Sequence, residues 1–219
     1  MSGETHLDNR TEMKSAIFDA LESLLHEKPY VEISINDICN KAFISKPTFY
    51  RYFKNKENIV RWKTKQFFQE GLVQIGRTCS WQEGYAITTH LFYEHRSIFE
   101  DEQSPTFVAD FFTFLTAYQE TCLIETITCF KGEPVSEKLR IQIQALTIAQ
   151  SRITRSWATE GMSIPPDVFA EYLASIVPHD LFKLFNTPKW RMHPNPFAVE
   201  KESIPCDGSP AQMDCRQIS

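Results

Sequence analysis

The stretch from Ile33 to Ile59, ISINDICNKAFISKPTFYRYFKNKENI, decides how the chain is read. Ser34-Ile35-Asn36-Asp37 opens like a capping box, with a hydroxyl at a helix start and a carboxylate three residues later; Ile35, Ile38 and Ala42 share one face of the helix that follows. A second helix is predicted from Ser45, and Pro47 is tolerated in its first turn, where backbone N–H groups have no intrahelical partner. Phe49 and Phe53 lie four apart on that helix and are expected to bury against the helices before it. Lys54-Asn55-Lys56 interrupts the pattern, and a longer helix is expected from Glu57 to about Ile75. Two short helices joined by a tight turn, the second rich in hydroxyl, aromatic and basic side chains, is the chemistry of a helix-turn-helix. Its second helix fits a major groove about 12 Å wide.

Charge points the same way. From Lys41 to Lys65 there are eight Lys/Arg against one acid, Glu57, whereas residues 66–219 hold 12 Lys/Arg and 19 Asp/Glu within a chain of net charge −5. A basic patch on an acidic body is the electrostatic footprint of a molecule that meets phosphates at one end. Ser45 and Thr48 can bond phosphate or a base edge, and Lys46, Arg51, Lys54 and Lys56 supply the charge that displaces counterions.

Outward from this stretch the chain reads as all-α. Met13, Ile17, Ala20, Leu21, Leu24 and Leu25 mark a first amphipathic helix, with Asn9 and Glu12 placed as a capping pair at its start and Pro29 at its end. Further helices are expected at about 81–96, 105–130, 135–160 and 166–186, and no period-2 strand is found. After Pro188 the composition shifts: residues 188–219 hold five of the twelve prolines, and this segment is expected to be a disordered tail. The expected organisation is a helix-turn-helix head at 1–65, a helical body at 66–187 and the tail.

The residues from 33 to 59 resemble the DNA-binding domain of the TetR family of bacterial regulators. The resemblance rests on Ile33, Ser34, Ile38 with Cys39, Ala42, Ile44, Ser45, Thr48, Phe49, Tyr50, Tyr52, Phe53, Lys56, Glu57 and Ile59. A looser echo of the family's last two helices lies in Trp157-Ala-Thr-Glu-Gly161-Met162 followed by Pro165-Pro166-Asp167 and an apolar helix. Two positions depart from the pattern: Phe43 stands at a turn position usually held by glycine, and Pro47 at one often held by glycine. A left-handed backbone at Phe43 costs about 1 kcal/mol relative to glycine. The resemblance implies a ligand-responsive transcriptional repressor that binds a pseudo-palindromic site on double-stranded DNA as a homodimer. The DNA-contacting set is then Ser34, Ser45, Lys46, Pro47, Thr48, Tyr50, Arg51, Tyr52 and Lys56, with Tyr50 on a phosphate. The competing reading is a helical sensor or co-regulator of the same fold that acts through protein partners.

The resemblance also implies that the middle helices enclose a pocket for an apolar small-molecule effector. Phe92, Phe111, Phe114 and Tyr118 are its expected lining, and His90, Gln119, Gln150 and Arg155 are polar groups that can orient a ligand. Between 135 and 160 one apolar stripe runs through Leu139, Ile143, Leu146, Ile153 and Trp157, and a second through Ile141, Ala145 and Ile148; a helix apolar on two sides is buried on two sides. The expected dimer interface combines Leu139, Ile143, Leu146, Ile153 and Trp157 with Phe169, Leu173 and Ile176.

Enzyme signatures are absent: the chain has no Gly-rich phosphate loop, no G-x-S-x-G and no H-E-x-x-H. His90 and His95 are five apart, so on a helix they diverge by about 140° and share no metal. No cofactor and no metal is expected. The six scattered cysteines, the lack of an 18-residue apolar run and the lack of a leader pattern at Met1 lead to the expectation of a cytoplasmic protein with reduced thiols and no membrane span.

Overall fold

The apolar residues of the first helix fall on its inner side, and α1 (Glu4–Leu25) buries Ile17, Phe18, Leu21 and Leu24. The computed structural model describes residues 4–100 and 105–185, and the side chains of 10–99, 111–129 and 131–185. The expected tail at 188–219 lies outside the described residues. α1 begins upstream of Asn9, so Asn9 and Glu12 sit within the helix and not at its start. Nothing between Glu4 and Asn9 stops a helix, since the segment has neither glycine nor proline.

α2 (Ile35–Lys41) and α3 (Lys46–Tyr52) follow, then α4 (Lys56–Glu70). The helix expected to run to Ile75 stops at Glu70, where Gly71 caps it and a short 3-10 turn covers Leu72–Gln74. The chain passes so close to the next helix here that a Cβ on Gly71 would lie 2.1 Å from Thr88 Oγ1 and 2.6 Å from the Gly84 carbonyl oxygen. α5 (Trp81–Glu94) starts with a capping box between Ser80 and Glu83, and α6 (Ser97–Glu100) is a single turn. α7 (Pro105–Lys131) and α8 (Glu137–Thr159) are the two long helices that pack on each other. The helix expected over 166–186 is two, α9 (Pro166–Ser175) and α10 (His179–Phe185). Pro178 explains the break, because it disfavours helical backbone in the residue before it. No strand occurs among the described residues, only an isolated bridge between Ile75 and Cys79.

One buried apolar cluster runs from Ile17 to Phe185 and joins the first three helices to the rest. At the junction the His95 ring stacks on Phe67 of α4 at 5.0 Å and meets Phe18 of α1 edge-on, while His95 Nδ1 lies 2.7 Å from Glu22 Oε1. At the opposite end Trp81 packs on Phe185 and donates its indole N–H to the Leu181 carbonyl, so α10 closes against α5. Each buried aromatic side chain here removes enough apolar surface to contribute about 1.5–3 kcal/mol.

Candidate nucleic-acid interface

Local chemistry fixes both short helices. Ser34 caps α2 by accepting from the Asp37 N–H at 3.2 Å, while Asp37 Oδ2 accepts from the Ser34 N–H and hydroxyl, each at 2.8 Å. Lys28 closes the same group from α1's side with an ion pair of 2.8 Å to Asp37. The Lys28 ammonium, followed by the two Ser34 donors, holds the Asp37 carboxyl well below the usual carboxylate range. The turn between α2 and α3 is made by Phe43 in left-handed backbone, φ 54°, with the Ile44 N–H returning to the Cys39 carbonyl at 2.9 Å. Ser45 caps α3 through the Thr48 N–H, and its hydroxyl also pairs with the Thr48 hydroxyl at 2.9 Å.

Burial then sorts α3 into two sides. Phe49 is fully buried and Phe53 nearly so, their rings 6.3 Å apart, while Ser45, Lys46, Pro47, Tyr50 and Arg51 are exposed and Thr48 is half-buried. The outward residues are those a DNA-reading helix needs, a cation at each end with hydroxyls and an aromatic ring between. Arg51 lies over the ring of the half-buried Tyr52 at 5.3 Å, which stiffens its approach. Ser34 is exposed at the start of α2 with its hydroxyl engaged in the capping box.

Lys56 is placed differently from the other basic residues. Its ammonium donates to the carbonyls of Tyr30 at 2.6 Å and Ile33 at 3.0 Å and lies 4.2 Å from the centre of the Tyr30 ring. It therefore ties the segment before α2 to the start of α4, a role no sequence pattern announced. Lys56→Met is expected to keep the stem packed but lower the stability of the amino-terminal helices by about 1.5–3 kcal/mol, the range for hydrogen bonds to a charged group. Hydrogen exchange across residues 30–60 of the full chain checks this; unchanged protection contradicts it.

Residues 17–61 match the family model described as bacterial regulatory proteins, tetR family. Those residues are a TetR-family domain. Among curated relatives, the HTH-type transcriptional regulator EthR of Mycobacterium tuberculosis is 29% identical over 93 residues, which is 38% of this chain and 43% of that protein. The HTH-type dhaKLM operon transcriptional activator DhaS of Lactococcus lactis is 27% identical over 84 residues, 38% of this chain and 45% of that protein. The matches thus span under half the length of these relatives. A solved structure of the dihydroxyacetone kinase operon activator DhaS superposes with a TM-score of 0.58 at 21% identity, covering 80% of this chain and 98% of that one, and shares the fold.

Behind the TetR-family domain, α4, α5, α7, α8 and α9 surround a cavity of about 30 Å³ lined by Phe68, Leu72, Phe92, Phe112, Leu115, Gln119, Gln150, Trp157 and Leu173 among others. Of the four expected lining residues Phe92 is there, and Phe111, Phe114 and Tyr118 are not. The face of α7 turned to the cavity carries Phe112, Leu115, Thr116 and Gln119, about 100° round from the expected one. Phe114 and Tyr118 instead face α4, where the Arg61 guanidinium lies over Phe114 at 5.0 Å and the Lys65 ammonium over Tyr118 at 5.1 Å. Gln119 and Gln150 do line the cavity; His90 is exposed and pairs with Asp167 at 2.8 Å, and Arg155 is half-buried outside the cavity.

The residues expected at a dimer interface are also redistributed. Leu139, Ile143, Leu146, Trp157, Phe169 and Leu173 are buried within the single chain, with Trp157 stacked on Phe169 at 4.4 Å and its indole N–H bonded to the Ile164 carbonyl. They are core, and little of their surface remains for a second copy. Only Ile153 and Ile176 of that set are exposed. The second stripe of α8 faces solvent, with Ile141 and Ile148 each 59% exposed, and α9 adds Tyr172 at 56%.

Proposed function

We propose that the chain is a transcriptional regulator which binds a pseudo-palindromic operator as a homodimer through α3 and changes its DNA affinity when a small molecule enters the cavity. The observation that carries the reading is the division of α3, with Phe49 and Phe53 anchored in the core and Lys46, Tyr50 and Arg51 standing in solvent beside exposed caps. In this reading residues 1–65 are the DNA-binding domain and 66–187 the ligand-binding and dimerisation domain. The relatives' names, a transcriptional regulator and an operon activator, support the regulatory role. The direction of regulation follows from where the operator lies relative to the promoter.

A two-fold dimer presents two copies of α3, so half-sites share its symmetry and lie about one helical turn, or a multiple, apart. Footprinting on the DNA flanking its own gene tests this, and an unprotected flank counts against it. Arg51→Ala is expected to weaken specific binding by about 1–3 kcal/mol when the guanidinium meets a base edge. Titration of one operator fragment and one random fragment checks it: equal losses on both assign Arg51 to a phosphate.

For the dimer, isoleucines left largely in solvent two turns apart on one face of α8 favour a face completed by a second copy. Ile148→Glu places a carboxylate at the centre of that face without touching the core of the single chain. Sedimentation is expected to show a dimeric wild type and a folded, monomeric variant. A wild type monomeric at micromolar concentration overturns the dimer.

Ligand response has a physical route through α7. One face of this helix lines the cavity, and another holds α4, the helix that leaves the DNA-binding domain, through the contacts of Phe114 with Arg61 and Tyr118 with Lys65. A ligand that shifts α7 shifts the seat of α4, and by reciprocity DNA alters ligand affinity by the same factor.

A further inference from the structure

The polar groups inside the cavity form a directed chain whose direction is fixed by one main-chain carbonyl. Gln150, 3% exposed, donates from Nε2 to the Leu173 carbonyl at 3.1 Å and to the Tyr85 hydroxyl at 2.5 Å. A carbonyl only accepts, so the Gln150 amide nitrogen must face Leu173, and its Oε1 faces the other way. There it accepts from Gln119 Nε2 at 3.2 Å. Gln119, 5% exposed, is thereby oriented too, and its own carboxamide oxygen has no hydrogen-bond partner among the described residues. At the other end the Tyr85 oxygen accepts from Gln150, which leaves the phenolic O–H to donate elsewhere. Burial pushes the Tyr85 phenol well above its ordinary range, so it remains a protonated donor.

Besides Tyr85 five hydroxyl side chains line the wall, and of these four, all but Thr154, offer less. The hydroxyls of Thr88, Thr89, Thr116 and Ser151 are turned onto the main-chain carbonyls of Gly84, Tyr85 and Phe112. No lysine, arginine, histidine, aspartate or glutamate is among the lining residues. A carboxylate or an ammonium entering this cavity would lose its hydration with no opposite charge to replace it, a penalty far larger than that for a neutral polar group.

We propose that the cavity takes an uncharged ligand with an apolar, aromatic-sized body and one small neutral head that both accepts and donates a hydrogen bond, a primary amide or a hydroxyl, seated between the Tyr85 O–H and the Gln119 carboxamide oxygen. The proposal rests on the ligand-responsive reading above and narrows it to a chemical class. The head accepts from Tyr85 and donates to Gln119, completing both ends of the chain at once. With space for about a water or two in this conformation, the cavity opens on binding by movement of its aromatic wall. Because Gln119 and Phe112 stand on α7, that movement acts on the helix that seats α4.

The test uses the full chain without DNA and four probes that share a benzyl or phenethyl body: phenylacetamide, phenethyl alcohol, phenylacetate and phenethylammonium. Isothermal calorimetry and thermal shift are expected to show the amide and the alcohol binding at least ten-fold more tightly than either ion at neutral pH. Tyr85→Phe keeps the ring and leaves Gln150 bonded to Leu173, and is expected to weaken phenylacetamide about ten-fold while leaving ethylbenzene unchanged. Gln119→Leu is expected to do the same. Equal or tighter binding of an ion, no effect of both substitutions on the amide, or no binding by any probe overturns the ligand class. DNA binding is measured separately on the same protein, so a chain that binds operator but not these probes refutes the ligand class alone, and one that binds the probes but not DNA refutes the regulator.

Discussion

Phe49→Ala is expected to unfold the amino-terminal helices and abolish DNA binding, at a cost of about 3–5 kcal/mol. Phe49 has no exposed surface and lies in edge or tilted contact with Tyr50 and Phe53, so truncation leaves a cavity at the point where α3 packs on α2. These helices are short, α2 and α3 being seven residues each, and hold their conformation by packing more than by propensity. The loss should therefore be local. Hydrogen exchange is expected to rise across residues 34–53 with little change in α7 and α8. Exchange that rises uniformly would show that the chain unfolds as one unit; an unchanged profile would show that Phe49 is not an anchor.

Gly71→Ala is expected to damage the joint between α4 and α5. The added methyl would lie 2.1 Å from Thr88 Oγ1, 2.6 Å from the Gly84 carbonyl oxygen and 3.0 Å from the Thr88 nitrogen, and two of these three neighbours are backbone that cannot rotate away. Thr88 also accepts the Leu72 N–H at 3.1 Å, so moving its hydroxyl leaves a buried donor unpaired. Overpacking of this kind costs about 1–3 kcal/mol or more. Because the joint sits between the DNA-binding domain and the cavity, DNA affinity should change with stability. Thermal melts with and without operator check both, and a variant that melts with the wild type and binds DNA equally contradicts the account.

Where the chain's own periodicity and caps decide the outcome, the sequence was sufficient. The Ser34 capping box, the buried pair Phe49 and Phe53, the left-handed turn at Phe43 and the exposed side of α3 all follow from local chemistry. Apart from the start of α1 and the break at Pro178, which are local, the departures have a common cause in contacts between distant residues. Gly71 ends α4 because α5 passes against it, and no local pattern shows that approach. On α7, phenylalanines occur on more than one side, so periodicity alone did not separate the face toward the cavity from the face toward α4. On α8 two apolar stripes were visible, and only packing shows that Leu139, Ile143 and Leu146 are core while Ile141 and Ile148 face solvent. Lys56 reads in the sequence as one more positive charge, and only the fold places its ammonium on the carbonyls of Tyr30 and Ile33.

The most direct measurement of the central claim is a salt titration of the full chain on a fragment bearing a palindromic site from its own flanking DNA, alongside a random fragment of equal length. Lys46, Arg51 and Lys54 are exposed on each head. If Lys46 and Lys54 of both heads each neutralise one phosphate while Arg51 meets a base edge, the logarithm of the binding constant should fall with the logarithm of salt at a slope of roughly −4. The account predicts that slope on both fragments, with affinity for the palindromic fragment higher by several kcal/mol. Binding that is indifferent to salt, or equal on the two fragments, would contradict it and favour a helical co-regulator that works through protein partners.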